Sequence, residues 1–410
     1  MVKTFFEQLI NENTTGVAYK NLRLKKAALS YFANVGNATI ADLSKELNLS
    51  VPKVTSLINE LISDDIVQEN GKIETNGGRK PILYGLLPQS ALFIGVDVKK
   101  NHVNLGLSDL NKKLIKVSEK LSYNLDNSKE SLEELCRIIK QFVKEIHAPK
   151  KKILGIGINL SGRVNHELGY SYSFFHFEEE PLASIIGSKV GIRVFLENDS
   201  RAMAYGEFSS GILKEEKNVL FLNLDYGIGL GILIDGQLYY GKSGYSGEFG
   251  HIPIFDNEIL CHCGKKGCLE TEASGWALTR MFKEKLREGS SSVLKSENKN
   301  YEDIQMEDII FAANHDDVLA IDLIEKIGRK IGRGIAVLIN IFNPQLVILG
   351  GSLAQTGDCI RLPIKSAINK YSLNLVNNDT QLKMSKSGEH AGIIGACLLV
   401  RNKVLSLNEY

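Results

Sequence analysis

The texture of the chain changes abruptly at Pro88-Gln89-Ser90, and this constrains the fold more than any other feature. Before it the pattern is short helical segments followed by a turn-rich basic stretch. From Ala91 onward, strand-like apolar runs alternate with longer helical stretches: Leu92–Val98, Ile153–Asn159, Val194–Leu196, Val219–Leu224, Gly231–Ile234 and Leu346–Leu349. Strands followed by helices predict an α/β architecture. The chain therefore reads as a small helical unit joined to a larger α/β unit. Its 410 residues, 43% of them hydrophobic, suffice for two or three domains with separate cores. The stretch Glu288–Asn300, with Gly289 and a serine triplet, is expected to form a surface loop.

The net charge of +1 sets up no global field toward nucleic acid or membrane, so any basic site must be local. No apolar run is long enough to span a bilayer. The start, Met1 to Glu7, lacks the apolar stretch and cleavage site of a signal peptide, which predicts a cytoplasmic location. Six cysteines are too few for a disulfide scaffold.

Residues 1–19 read as a polar arm with one apolar patch at Phe5, Phe6, Leu9 and Ile10. Residues 20–88 read as a winged helix-turn-helix. Leu22–Val35 has helical spacing and stops at Gly36-Asn37. Thr39 with Asp42 three positions on predicts a capped second helix. Asn48-Leu49-Ser50 predicts a tight turn, and Ser50 with Pro52 a third helix whose Val54, Leu57, Ile58 and Leu61 face inward. Outward lie Lys53, Thr55, Ser56 and Asn59, compact donors and acceptors suited to base edges and phosphates. Ile66–Ile73 reads as strand, turn and strand. It leads into Gly77-Gly78-Arg79-Lys80-Pro81, where Arg79 and Lys80 suit a wing on the DNA backbone or minor groove. The competing reading is a three-helix module for protein contacts. Residues 1–88 hold ten Lys and Arg against nine Asp and Glu, a thin basic excess for a DNA reader.

Cys261, Cys263 and Cys268 fall within eight residues of a glycine-containing loop, and thiolates bind zinc. A closed structural site needs a fourth ligand. His262 is wedged between two of the cysteines, whereas His251 can reach back if the chain folds over. The predicted set is His251, Cys261, Cys263 and Cys268, holding one structural Zn2+ per chain with no open position for catalysis. A metal-free redox-sensing thiol group is the alternative.

These motifs, with Gly155-Ile156-Gly157-Ile158, Glu197-Asn198-Asp199, Gly227-Ile228-Gly229-Leu230-Gly231, Gly247-Glu248-Phe249-Gly250-His251, Glu270 and Leu349-Gly350-Gly351, resemble the ROK proteins (repressors, open reading frames and sugar kinases) over residues 90–405. The resemblance implies an actin-like, ribonuclease H-like fold across residues 90–410. Two lobes would meet near residue 199, with a sugar cleft between them and a C-terminal helix returning to the first lobe. It also implies sugar contacts at Asn198, Asp199, Glu248, His251 and Glu270. The residues themselves are compatible, since polar groups at a strand's C-terminal end are where α/β folds place ligands; a helix N-cap pair is the plainer reading of Asn198 and Asp199. The helical unit ahead is similar to the repressor branch, the bacterial regulators of xylose, glucose and N-acetylglucosamine genes.

Kinases of the family carry Asp-x-Gly-Gly-Thr and Gly-Thr-Gly-x-Gly at their phosphate turns. Here the turns read Asp97-Val98-Lys99-Lys100-Asn101 and Asp225-Tyr226-Gly227-Ile228-Gly229. Asp199 stands where the kinases keep their base, but bulky and charged residues fill the turns, which predicts no phosphoryl transfer. An aromatic run, Tyr172 to Phe177, replaces an amide-bearing stretch of the family, so a phosphosugar or larger saccharide is also a candidate effector. The expectation is a repressor of carbohydrate genes that binds operator DNA as a homodimer or homotetramer, since an inverted repeat needs two heads. The rival is a sugar kinase with a DNA-binding extension.

Overall fold

The computed structural model describes residues 5–6, 16–73, 80–177, 179–209, 216–296, 300–405 and 407. Among the described residues, Phe5-Phe6 is helical, and three helices follow: α1 Gly16–Val35, α2 Ile40–Glu46 and α3 Val51–Ser63. Helix α1 begins well before Leu22, so the last residues read as an arm belong to it. The cap of α2 forms as the sequence predicts: Thr39 N–H donates to Asp42 Oδ2 at 2.9 Å, and Asp42 N–H returns to Thr39 Oγ1 at 3.2 Å. Asn48 takes a left-handed φ of 50°, which permits the tight turn before α3. Ser50 precedes α3 without a side-chain capping bond, so Pro52 in the first turn is the stronger start signal there.

The segment after α3 differs from its expected strand, turn and strand. Val67–Lys72 is one strand (β1) pairing antiparallel with Ile82–Leu86 (β2). The hairpin is thus longer than the sequence reading. Arg79 lies outside the described residues, and Lys80 is exposed on the loop side of the hairpin, two residues before β2.

The rest of the chain builds two five-stranded sheets of one topology. The first lobe uses β3 Leu92–Val98, β4 His102–Asp109, β5 Leu114–Ser122, β6 Ile153–Leu160 and, after the short hairpin β7 Val164–Asn165 and β8 Tyr170–Ser171, β9 Val194–Asn198. The second uses β10 Val219–Leu224, β11 Ile228–Ile234, β12 Gln237–Leu238, β13 Leu346–Gly350 and β14 Gln381–Met384. The spatial orders are β5-β4-β3-β6-β9 and β12-β11-β10-β13-β14. In each, three antiparallel strands continue into two parallel ones. Parallel neighbours need crossovers. In the first lobe these carry α4 Lys129–Lys144 and α5 Leu182–Val190; α6 Asp199–Glu207 then joins the lobes. The second lobe is covered by α7 Glu270–Ala273, α8 Gly275–Arg287, α9 Val293–Ser296, α10 Met306–Ala313, α11 Val318–Phe342, α12 Asp358–Tyr371 and α13 Asn374–Asp379. The expected loop at 288–300 contains α9, whose Leu294 is buried in the second-lobe core, so the stretch is anchored.

The last helix, α14 Ala391–Leu405, returns to the first lobe and lies on β3 and β6. Gly157 on β6 permits this, because a Cβ there would collide with the Ala396 carbonyl. At its far end Val400, Val404 and Leu405 share one hydrophobic cluster with Leu29, Phe32, Leu61 and Tyr84 of the helical head. The head is therefore seated on the first lobe through one hydrophobic cluster, which also takes in Phe93, Leu110 and Leu154.

Candidate functional site

A cavity of about 1320 Å³ lies between the lobes. Asn198, Asp199, Glu248, His251 and Glu270 all line it, as do Arg163, Tyr172, Ser173 and His176. Strand β9 ends at its floor and hands over to α6. Asn198 does cap α6: its Oδ1 accepts from Arg201 N–H at 3.1 Å, and its Nδ2 donates to the Gly162 carbonyl at 3.0 Å. The plainer reading thus holds for that side chain. Asp199 differs. Its Oδ1 accepts from Ser200 N–H at 2.7 Å, while Asn223 Nδ2 stands 3.5 Å from its Oδ2. Burial raises the Asp199 carboxyl above the usual range; Lys99 pulls it down and Asp97 pushes it further up.

Beneath the floor, Arg201 and Glu197 form a buried ion pair, Nε to Oε1 at 2.7 Å. Arg201 also donates to the carbonyls of Gly244 and Val164, and the Tyr240 hydroxyl donates to Glu197 Oε2 at 3.1 Å. Burial, then the Glu197 charge, raises the Tyr240 phenol. This network fixes the loop after β12, which leads into Gly247-Glu248, against the start of α6. The sequence reading passed over Arg201, although its ion-pair partner Glu197 is four residues away; its carbonyl partners, Val164 and Gly244, lie 37 and 43 positions away.

His251 stands at the end of a single 3-10 turn, Phe249–His251, directly after Glu248. Its Nδ1 is 3.5 Å from Cys261 Sγ, and Cys263 Sγ is 3.6 Å from Cys268 Sγ. The four donors His251, Cys261, Cys263 and Cys268 lie within 4.8 Å of one another, and they could hold a metal ion. His262 is directed elsewhere, against Trp276 with ring centroids 5.4 Å apart. Glu270 leans on the cluster as well as on the cleft: its Oε1 is 3.0 Å from Cys261 Sγ and 3.4 Å from His251 Nδ1.

The turns that carry Lys99 and Lys100 on one side, and Asp225 and Tyr226 on the other, also line the cavity. The aromatic run divides. Tyr172, Phe174 and His176 line the cleft, whereas Phe175 is buried. Tyr172 also meets Tyr245 edge-on at 6.0 Å. The lining role of Arg163 was missed, although Ser161-Gly162-Arg163 directly after β6 is the same end-of-strand signal that singled out Asn198.

On the head, Lys53, Ser56 and Asn59 are exposed along one face of α3. Thr55 is half-buried, its hydroxyl donating back to the Val51 carbonyl at 2.9 Å. The acids near this helix are partly neutralised, because Lys25 pairs with Glu60 at 3.3 Å and Asp64 at 2.7 Å. Among the described residues no helix is long and apolar enough to cross a membrane.

Residues 93–403 match the ROK family. The xylose repressor of Caldicellulosiruptor bescii is 31% identical over 371 residues, covering 90% of this chain and 92% of that protein. The crystal structure of a ROK family transcriptional regulator, a homolog of the E. coli MLC protein, superposes with a TM-score of 0.75 at 28% identity, over 95% of this chain and 97% of that one. A ROK family glucokinase from Streptomyces griseus, solved with glucose and AMPPNP, gives a TM-score of 0.67 at 28% identity, but over 75% of this chain. The chain belongs to the ROK family.

Proposed function

We propose that this protein is a sugar-responsive, DNA-binding repressor of carbohydrate-utilisation genes. The observation that carries this reading is the helical head seated on a ROK body. The repressor and the transcriptional regulator match nearly the whole chain, while the glucokinase match covers three quarters of it. In this reading residues 20–88 read operator DNA. Lys53, Thr55, Ser56 and Asn59 enter the major groove, and Arg79 and Lys80 meet the backbone or minor groove. Residues 90–410 bind the effector, a neutral sugar or a phosphosugar, and assemble the protein into a homodimer or homotetramer in the cytoplasm.

The effector sits against Asn198, Asp199, Glu248, His251 and Glu270. Asp199 offers its Oδ2 to a hydroxyl; Asn198, with both polar ends engaged by the protein, shapes the floor and adds its remaining acceptor capacity. His251 shares its ring between the cleft and the cysteine cluster. That cluster fits zinc: tetrahedral thiolate ligands at 2.3 Å from the metal stand about 3.7 Å apart, close to the 3.6 Å between Cys263 and Cys268. Bound zinc would supply structural cross-linking, keeping the loop that carries His251 in place at the cleft wall.

The cleft communicates with the head through two helices. Helix α6 starts at Asp199. Its Gly206 packs directly on the backbone of α14 at Ala391 and Gly395, so the two helices touch without intervening side chains. Helix α14 ends in Val400, Val404 and Leu405, which belong to the same hydrophobic cluster as residues of the head. An effector that binds one lobe arrangement more tightly than the other thereby biases the head's position, and it acts only through that difference.

Phosphoryl transfer depends on positioning and neutralising the phosphates. With Lys99, Lys100, Asp225 and Tyr226 in the turns, keeping Asp199 does not make a kinase. Calorimetric titration with a sugar panel, alongside coupled ATP consumption on the same sample, tests the reading. Sugar binding without ATP turnover supports it, and sugar-dependent ATP turnover overturns it.

A further inference from the structure

The inner half of the cleft is bridged by two contacts between the lobes. Lys99 and Lys100 lie on the turn between β3 and β4 of the first lobe. Asp225 and Tyr226 lie on the turn between β10 and β11 of the second. The two turns are topological equivalents, each joining the first and second strands of its sheet. Lys99 Nζ is 3.5 Å from Asp225 Oδ2, and Lys100 Nζ sits 3.6 Å from the centroid of the Tyr226 ring. The two turns are thus paired with one another.

Lys99 has a second carboxylate to satisfy. Asp97, on its own strand, is 0% exposed, and neither of its oxygens has a hydrogen bond. Its ion-pair partner among the described residues is Lys99, at 3.6 Å. Burial would lower the Lys99 ammonium, but the charges of Asp97, Asp225 and Asp199 more than reverse this and raise it. Two carboxylates, one from each lobe, therefore share one tethered cation.

Both turns are anchored in their own lobes. Lys99 N–H donates to the His102 carbonyl at 2.9 Å. Asp225 Oδ1 accepts from Tyr226 N–H at 2.8 Å, and the Asp225 carbonyl accepts from Gly275 N–H at 3.0 Å. The ammonium consequently joins two stiff supports. The side chains of Lys99 and Asp225 are only 17% and 21% exposed, so the pair is far less screened than a surface ion pair.

We propose that Lys99 is a built-in counter-ion that clasps the lobes together through Asp225, so that cleft closure and effector affinity are set by one side chain. The effector part rests on the reading of the cleft, which Lys99 and Asp225 line, as the effector site; the clasp itself does not. Closure held in advance removes part of the ordering cost of binding. Opening the clasp parts Lys99 from Asp225 and leaves it beside Asp97 on its own lobe, so the cost of opening is the loss of the inter-lobe pair.

Hydrogen exchange on the full-length, ligand-free protein reads the clasp directly. Lys99→Met and Asp225→Asn should each speed exchange several-fold at the amides of residues 99–102 and 225–229. The double variant should be no faster than the faster single one, because both remove the same contact. If the lone Asp97 prevents Lys99→Met from folding, Lys99→Met with Asp97→Asn serves in its place. With a sugar that binds the wild type, each single variant should bind about tenfold more weakly, and the double no more weakly still. Exchange like the wild type in both single variants, or effects that simply add in the double, would overturn the clasp. Wild-type protein that binds no sugar, with the exchange pattern as expected, would instead defeat the effector reading and leave the clasp standing.

Discussion

Asn402 donates its side-chain amide to the Tyr205 hydroxyl, and this bond ties the helix that begins at the cleft to the helix whose end shares the head's hydrophobic cluster. Tyr205 stands on α6, two turns beyond Asp199. Asn402 stands on α14, between Val400 and Val404 of the head's cluster. Its neighbour Arg401, fully buried, donates to the Leu110 carbonyl at 2.8 Å and to Asn402 Oδ1 at 3.0 Å. Burial lowers the Arg401 guanidinium to about 10. A buried, hydrogen-bonded junction therefore stands between the proposed effector site and the reading head.

Tyr205→Phe should cost about 1 kcal/mol of stability, the net worth of one hydrogen bond. Sugar affinity should be nearly unchanged, while the sugar concentration needed to release DNA rises. Thermal melts, calorimetry and DNA-binding titrations on one preparation check this. Unchanged release would remove the junction from the coupling path.

Zinc removal gives a second prediction. Metal analysis should find close to one zinc per chain. Cys268→Ala should lose it, lower stability by several kcal/mol, as loss of a structural zinc does, and weaken sugar binding through His251. Complete metal loss with an unchanged sugar response would show that the cluster does not support the cleft wall.

The pattern of the cysteines was legible because thiolates so closely spaced have few other uses, and His251 could be paired with them by reach alone. The α2 cap was legible for a similar reason, since Thr39 and Asp42 are three residues apart and complete each other locally. Asn198 and Asp199 were found from their place at a strand end, but the sequence could not tell a capping side chain from one facing the cleft. Strand β5 escaped notice because it alternates half-buried and exposed residues and carries Lys116, Glu119 and Lys120 among its apolar ones. The hairpin register escaped because β2 pairs across a segment that reads as turn. The contacts that join the lobes were beyond reach altogether: Tyr205 and Asn402 are 197 positions apart, and only tertiary structure brings such pairs together.

Asp199 provides a prediction with a sign. Its carboxyl is raised in the fold, so the folded state binds the proton more tightly than the unfolded chain does. Stability from this group is therefore greatest at low pH and falls as pH rises from the unfolded carboxylate value through the raised folded one. Asp199→Asn, which is neutral at every pH, should raise the melting temperature at pH 7 and flatten that part of the pH profile. It should also abolish sugar-dependent DNA release while leaving sugar-free DNA affinity unchanged. Melts from pH 4 to pH 8 and DNA titrations check both halves; a variant that melts lower and still responds to sugar would refute the assignment.

On the head, Asn59→Ala should cost about 1–3 kcal/mol of operator binding and relax preference at one base position. Arg79→Ala should weaken all sequences alike and lower the slope of affinity against salt by about one. Binding titrations at several salt concentrations separate the two behaviours. Equal effects of both variants on all sequences would mean that α3 does not read bases.

The most direct test of the whole account is selection of genomic DNA fragments by the full-length, zinc-loaded protein, with and without xylose, glucose and N-acetylglucosamine. The account predicts enrichment of fragments with two related half-sites about one helical turn apart or a multiple of it, and loss of that enrichment with one of the sugars. Fragments recovered no better than bulk DNA in every condition, or recovered equally with and without each sugar, would contradict it.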